Sequence, residues 1–111
     1  DGDYFMVFDI DDGYIFDLPS GSQVRLEIEY LDEGTDWFGV EYDAHSGGPY
    51  NNGTFKRTDD IHKTNSGEFK TAVFILDDAR LANRNNSADF RIADFSDGAE
   101  TIRRVTVTLL P

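Results

Sequence analysis

Gln23-Val24-Arg25-Leu26-Glu27-Ile28-Glu29-Tyr30-Leu31 is the stretch that decides the fold. Val24, Leu26, Ile28 and Tyr30 fall on one side of an extended chain, and Arg25, Glu27 and Glu29 on the other. That period of two is the signature of a β-strand with one buried and one solvated face. The pattern recurs in both directions. Residues 37–43 place Phe38, Val40 and Tyr42 inward and Trp37, Glu41 and Asp43 outward. Residues 69–76 and 101–110 alternate likewise, with Val105, Val107 and Leu109 as the expected buried face of the last strand. Toward the N-terminus, residues 4–8 read as a strand (Tyr4, Met6 and Phe8 alternating with Phe5 and Val7), and residues 14–18 as its hairpin partner across the turn Asp11-Asp12-Gly13. Residues 88–93 read as a further strand, and residues 54–63 as either one bulged strand or two. Turn signals separate these runs at Pro19-Ser20-Gly21, Asp32-Glu33-Gly34, Ser46-Gly47-Gly48-Pro49, Asn65-Ser66-Gly67 and Asp97-Gly98. Short strands punctuated in this way, with no helical period anywhere, predict an all-β chain: an antiparallel two-sheet β-sandwich (jelly-roll) of about eight strands, one domain over residues 1–111.

Composition narrows the partners. Twenty-two acidic residues against ten basic ones give a net charge of -12, which argues against nucleic acid and anionic membrane as ligands. It also disfavours strongly anionic polysaccharides unless the site is locally basic. Cys is absent, so neither a disulfide framework nor a thiolate metal site is available. Nine Phe and five Tyr are too many for a disordered tail. No apolar run approaches the ~20 residues of a membrane span. With no Met at its start and no signal peptide, the chain reads as a monomeric module excised from a longer protein.

Catalysis finds little support. Pairs of carboxylates are inevitable in so acidic a chain, and a working general acid needs an apolar pocket to raise its pKa. No Ser sits in a Gly-x-Ser-x-Gly elbow, and His45 and His62, seventeen residues apart without Cys, make a poor zinc site. His45 reads as a loop residue and His62 as the exposed face of a short strand.

Binding chemistry is better represented. Sugars are held by aromatic faces against their C–H surfaces and by planar polar side chains at their hydroxyls. Trp37, the single Trp, falls either on the outer face of its strand or as a cap on the core. Tyr50, followed by Asn51 and Asn52, lies in a long Gly-rich loop, either as a platform or folded back as a lid. Residues 77–92, Asp-Asp-Ala-Arg-Leu-Ala-Asn-Arg-Asn-Asn-Ser-Ala-Asp-Phe-Arg-Ile, place Asn83, Arg84, Asn85 and Asn86 at a loop tip as candidate ligand contacts. Asp89 and Arg91 share one face of the following strand, as an ion pair or as ligand groups. Whether the Tyr50 and Arg84 loops share one end depends on residues 54–63: one bulged strand puts them together, two strands put them apart. Calcium is the metal to consider, since it takes six to eight oxygens. Asp9, Asp11 and Asp12, in Asp9-Ile10-Asp11-Asp12-Gly13, are its candidate ligands, and Asp32, Glu33 and Asp36 form a second acidic turn.

Taken together, Tyr4-Phe5 with Phe8-Asp9-Ile10-Asp11-Asp12, residues 24–34 ending Glu29-Tyr30-Leu31-Asp32-Glu33-Gly34, Phe69-Lys70-Thr71-Ala72-Val73-Phe74, and above all Asp78-Ala79-Arg80-Leu81-Ala82-Asn83-Arg84 leading into Ala88-Asp89-Phe90-Arg91-Ile92 carry a resemblance. The chain resembles the β-sandwich carbohydrate-binding modules attached to bacterial polysaccharide-degrading enzymes. That resemblance implies a secreted, non-catalytic module that holds a glycoside hydrolase or polysaccharide lyase near plant or algal polysaccharide, often with a structural calcium. The competing expectation is a structural or adhesive sandwich that contacts protein rather than sugar.

Overall fold

The computed structural model describes residues 5–85, 88–93 and 101–111. The expected strand start at Tyr4, the turn Asp97-Gly98 and the candidate contact Asn86 lie outside them. Among the described residues there is no helix; eight strands form two antiparallel sheets: β1 (Phe5–Phe8), β2 (Val24–Leu31), β3 (Trp37–Tyr42), β4 (Lys56–Arg57), β5 (Ile61–His62), β6 (Phe69–Leu76), β7 (Phe90–Ala93) and β8 (Ile102–Leu109).

The alternating stretch at residues 24–31 becomes β2, the central strand of the three-stranded sheet β6-β2-β8. Its residues alternate between buried and half-buried along its whole length. Leu26 stands opposite Phe74 on one side and Val107 on the other, so apolar residues meet apolar residues across both ladders. Ile28 pairs with Val105 but Tyr30 pairs with Ile102, so β8 holds one extra residue there. The bulge turns the Arg103 guanidinium over the Phe69 ring, 3.8 Å from its centroid, and onto Glu29 at 2.7 Å.

The other sheet runs β1-β7-β3-β4, with β5 also pairing β3. β4 and β5 are one interrupted strand. Tyr42 faces Lys56 and Glu41 faces Arg57, while Phe38 faces Ile61 and Trp37 faces His62. The pairing gains a single residue between the two segments, which is a β-bulge near residues 59–60. Thr58 bridges the gap, exchanging bonds with Val40 through its N–H and Oγ1.

Phe38, Val40, Tyr42, Phe90 and Ile92 from this sheet pack against Val24, Leu26, Ile28, Tyr30 and Phe74 from the other. Tyr30 meets Phe38 edge to face at 5.0 Å, and Phe8 stacks on Phe90 at 4.9 Å.

Three expectations are corrected. Residues 14–18 are not a hairpin partner of β1, which pairs β7 instead. The Asp11 carbonyl accepts from the N–H groups of Tyr14 and Ile15, Asp17 takes a left-handed backbone (φ 50°), and Asp17 and Leu18 donate to the carbonyls of Leu81 and Arg80. A tight turn followed by a left-handed residue cannot return as a strand, so the segment instead drops Ile15 and Leu18 into the core. Leu109 is 40% exposed, because β8 is an edge strand and Leu109 lies at its end. Asp43, expected outward, is fully buried, for a reason that lies in the loop after β6.

Candidate functional site

Two aspartates continue the outward-facing series beyond the ends of their strands. Asp43 follows β3 and Asp89 precedes β7, and the Asp43 N–H donates to the Asp89 carbonyl at 3.0 Å. Both side chains are 0% exposed. A buried carboxylate is tolerated only where donors surround it, and residues 80–85 supply them. Arg80 and Leu81 donate their N–H groups to the Asp43 carbonyl. The Asp43 carboxylate accepts from the Ala82 N–H at 2.8 Å and the Arg84 N–H at 3.2 Å. Asp89 accepts from the Asn83 N–H at 3.0 Å and the Ile10 N–H at 2.9 Å. Leu81 and Asn83 have left-handed backbones (φ 54° and 60°), which aim neighbouring N–H groups at two different carboxylates. The resemblance-bearing segment is thus a lid folded down over two strand ends.

Arg84 is drawn inward with it. Its Nε donates to Asp43 Oδ1 at 2.9 Å, and its Nη2 to the carbonyls of Ala44 at 2.6 Å and Asn52 at 2.9 Å. Asn85 is buried; its Oδ1 accepts from the Phe55 N–H. Asn83 Nδ2 donates to both carboxylate oxygens of Asp12. The Asn52 side chain caps its own turn by accepting from Thr54, leaving Tyr50, at 69% exposed, and Asn51 at the surface. Arg84 therefore does reach the Tyr50 loop, as the one-bulged-strand reading of residues 54–63 requires.

Asp89 and Arg91 do not pair with each other. Arg91 Nε donates to Glu41 at 2.6 Å on the outer face of the five-stranded sheet, and its guanidinium lies 4.4 Å from the Phe55 ring centroid. Register puts Val7, Arg91, Glu41 and Arg57 in one row across that face. Arg57 stands 3.9 Å from Glu41 and 3.8 Å from Asp60. Tyr50 meets Phe55, the ring beneath the Arg91 guanidinium, edge-on at 6.2 Å. Four residues along β3, about 13 Å away, Trp37 stacks flat on its cross-strand partner His62, with ring centroids 4.1 Å apart and planes within 1°. Trp37 is 44% exposed, so it is a surface residue rather than a core cap. Between the two rows lie the small, buried pair Gly39 and Ala93. Trp37 and Tyr50 thus mark opposite ends of one face. Composition and motif reading passed over His62, Phe55 and Arg57 as ligand groups and left Arg91 between an ion pair and a ligand group; strand parity is the signal that gathers them.

Of the metal candidates, Asp9 and Asp12 converge with Asp89, each offering a carboxylate oxygen within 4.8 Å of the others. Asp11 instead accepts from the Gly13 N–H and closes its own turn. Burial pushes the Asp89 carboxyl above its ordinary range; the N–H groups of Ile10 and Asn83 oppose this, and the charges of Asp9 and Asp12 add to it. Among the described residues no Lys or Arg bridges to these three acids, and Asn83, whose Nδ2 donates to Asp12, has its Oδ1 buried without a hydrogen-bond partner. An oxygen-only, uncompensated cluster of this kind fits a hard divalent cation. The second acidic turn does not. The Asp32 carboxylate is saturated by Thr64, Ser66 and Lys70, and Asp36 pairs with Lys63 at 3.0 Å.

A cavity of about 430 Å³ opens between β1 and β8, lined by Met6, Phe8, Ile10, Phe90, Val105 and Val107 together with Asp9, Arg103 and Arg104. Set against known protein families, curated proteins and solved structures, the chain matches none.

Proposed function

We propose that this domain is a non-catalytic carbohydrate-binding module whose ligand lies across the outer face of the five-stranded sheet. The observation that carries the reading is the arrangement of that face: a flat Trp37–His62 stack at one end, Tyr50 over Phe55 at the other, and the row Arg91–Glu41–Arg57 between them. Aromatic surfaces bind sugar C–H faces, and planar guanidinium and carboxylate groups bind hydroxyls. Trp37, Tyr50 and Asn51 contact ligand; Asn52, Asn83, Arg84 and Asn85 build the loop that presents Tyr50.

The ligand class is neutral. On this face two guanidinium groups, Arg91 and Arg57, meet two carboxylates, Glu41 and Asp60, and the whole chain carries -12. Uronate or sulfated chains would meet net repulsion. A single Trp does not make the broad flat platform suited to crystalline surfaces, so soluble chains or chain ends fit better. Asp9, Asp12 and Asp89, with Asn83 Oδ1, would hold calcium, which would neutralise the buried carboxylate and pin the loop beneath Tyr50. Attachment to a secreted glycoside hydrolase or polysaccharide lyase follows from the resemblance read in the sequence.

The test is affinity electrophoresis through gels cast with xylan, glucomannan or laminarin, and with alginate or pectate, each with and without EDTA. Retardation by a neutral polysaccharide and not by the anionic ones supports the reading. No retardation at millimolar affinity would reject it in favour of a structural spacer. That second reading has its own observation: β6, at the edge of its sheet, exposes Phe69, Val73 and Ile75 along one side, an apolar strip of the kind that docks onto protein.

A further inference from the structure

We infer that Arg84 is a positioning residue: it governs ligand affinity through Tyr50, by clamping residues 45–53 onto the end of β3. The inference deepens the reading above and rests on it for its binding arm alone.

The guanidinium occupies a socket with three acceptors, two at the end of β3 and one near the far end of the loop. Asp43 Oδ1 receives Nε, and the carbonyls of Ala44 and Asn52 both receive Nη2. Ala44 begins the loop and Asn52 stands near its end, so one side chain ties the two stems together. The loop's own bonds are few: the Gly53 N–H donates to the Gly47 carbonyl, the Ala44 N–H to the Gly53 carbonyl and the Asn51 N–H to the Gly48 carbonyl. Gly47, Gly48, Asn51 and Gly53 all have left-handed backbones, and the three glycines lose more conformational freedom than other residues when held in one conformation.

Gly53 shows how closely the clamp is fitted. A Cβ there would stand 1.9 Å from the Ala44 carbonyl oxygen and 3.0 Å from Arg84 Nη2. The counter-ion is equally committed, since Asp43 is fully buried and its second oxygen holds the N–H groups of Ala82 and Arg84. Nη2 alone lies within 2.9 Å of all three acceptors, and a lysine ammonium, ending one bond short of that position, would not reach them together.

The experiment compares wild type with Arg84→Ala, Arg84→Lys, Tyr50→Ala and the Arg84→Ala/Tyr50→Ala double variant. Backbone amide exchange is followed without sugar, and binding is then measured against whichever of xylan, glucomannan or laminarin retards the wild type. In both Arg84 variants the amides of Ala44, Asn51 and Gly53 exchange about tenfold faster or more, while those of Leu26 and Phe74 are unchanged. Affinity falls to that of Tyr50→Ala, and the double variant loses nothing further. Unchanged loop exchange overturns the clamp. Losses that add in the double variant overturn action through Tyr50 and make Arg84 a direct ligand contact. Faster exchange across the whole chain in Arg84→Ala, repeated in Arg84→Lys, makes it a fold residue instead. Should no polysaccharide bind the wild type, the carbohydrate reading fails while the exchange arm still decides the clamp.

Discussion

Trp37 and His62 lie ring on ring across the β3–β5 pair, their planes parallel and their centroids 4.1 Å apart. The bulge near residues 59–60 makes the stack possible. Had the β4 register continued without the bulge, Ile61 rather than His62 would stand opposite Trp37, and His62 would point to the other face. The stack sets His62 against one face of the indole, and Trp37 remains 44% exposed.

Trp37→Ala removes that surface without opening the core, because the indole is 44% exposed and packs on an exposed partner. Ligand affinity should drop by about 1 kcal/mol, roughly fivefold, while thermal stability changes by less than about 1 kcal/mol. Titration calorimetry and a melting curve on the same sample separate the two. A melt that collapses would place Trp37 in the core after all.

Gly53→Ala acts at the other end of the face. Its φ of +91° is strained for any L side chain, and the added methyl would run into the Ala44 carbonyl at 1.9 Å. The loop must move off Arg84 or the strand end must distort. The expected cost is about 2 kcal/mol or more of stability, with loss of the Tyr50 contribution to binding. Chemical denaturation and sugar titration check both, and a wild-type melting temperature would contradict the contact.

Alternation made most of the strands legible, because a period of two survives whatever lies around it: β2, β3 and β6 read directly from Val24, Phe38 and Phe74 and their alternate neighbours. The N-terminal segment failed on a local signal. Asp11-Asp12-Gly13 does mark a turn, but whether the chain returns antiparallel depends on Asp17, whose left-handed backbone no pattern announces. The site failed differently. Arg84 and Asn85 look like ligand groups in a polar loop until Asp43 and Asp89 are seen buried beneath them. Those two carboxylates continue the outward parity of β3 and β7, so parity alone would leave them in water. Only the lid's contact with two distant strand ends, at separations of about forty residues for Asp43 and six for Asp89, turns the loop's donors inward.

Asp32 predicts a pH dependence. The Thr64 hydroxyl is the main influence holding its carboxyl far below the ordinary range; burial opposes it, and Ser66 and the Thr64 N–H add to the lowering. A carboxyl depressed in the folded state stabilises above the unfolded pKa, and that stabilisation is lost as pH falls through the folded value. Asp32→Asn should therefore melt several degrees below wild type at pH 7. The gap should hold steady down to about pH 5 and shrink below about pH 4, where the unfolded carboxyl takes up its proton. A gap that is independent of pH would mean that the amide loses only hydrogen-bond geometry and not charge.

Three carboxylates within 4.8 Å, one of them buried, repel one another in the absence of a cation, so a bound divalent ion stabilises both through its own contacts and by removing that repulsion. At a calcium concentration about 100 times its Kd the gain is ~2.7 kcal/mol, which should raise the melting temperature by several degrees. EDTA should reverse the rise. Magnesium should do less, since it demands tighter octahedral geometry and sheds water reluctantly. Asp9→Asn is the informative variant: Asp9 is exposed, so the fold survives its loss while the cluster loses one ligand charge. Its calcium response should weaken by at least tenfold in concentration. The ion should also slow amide exchange at Asn83, whose N–H meets Asp89, and through Arg84 next in sequence that ordering should reach the Tyr50 loop. If calcium moved neither the melt nor the exchange at Asn83, the three acids would be bearing their repulsion unaided, with only the N–H groups of Ile10 and Asn83 to offset the buried charge of Asp89.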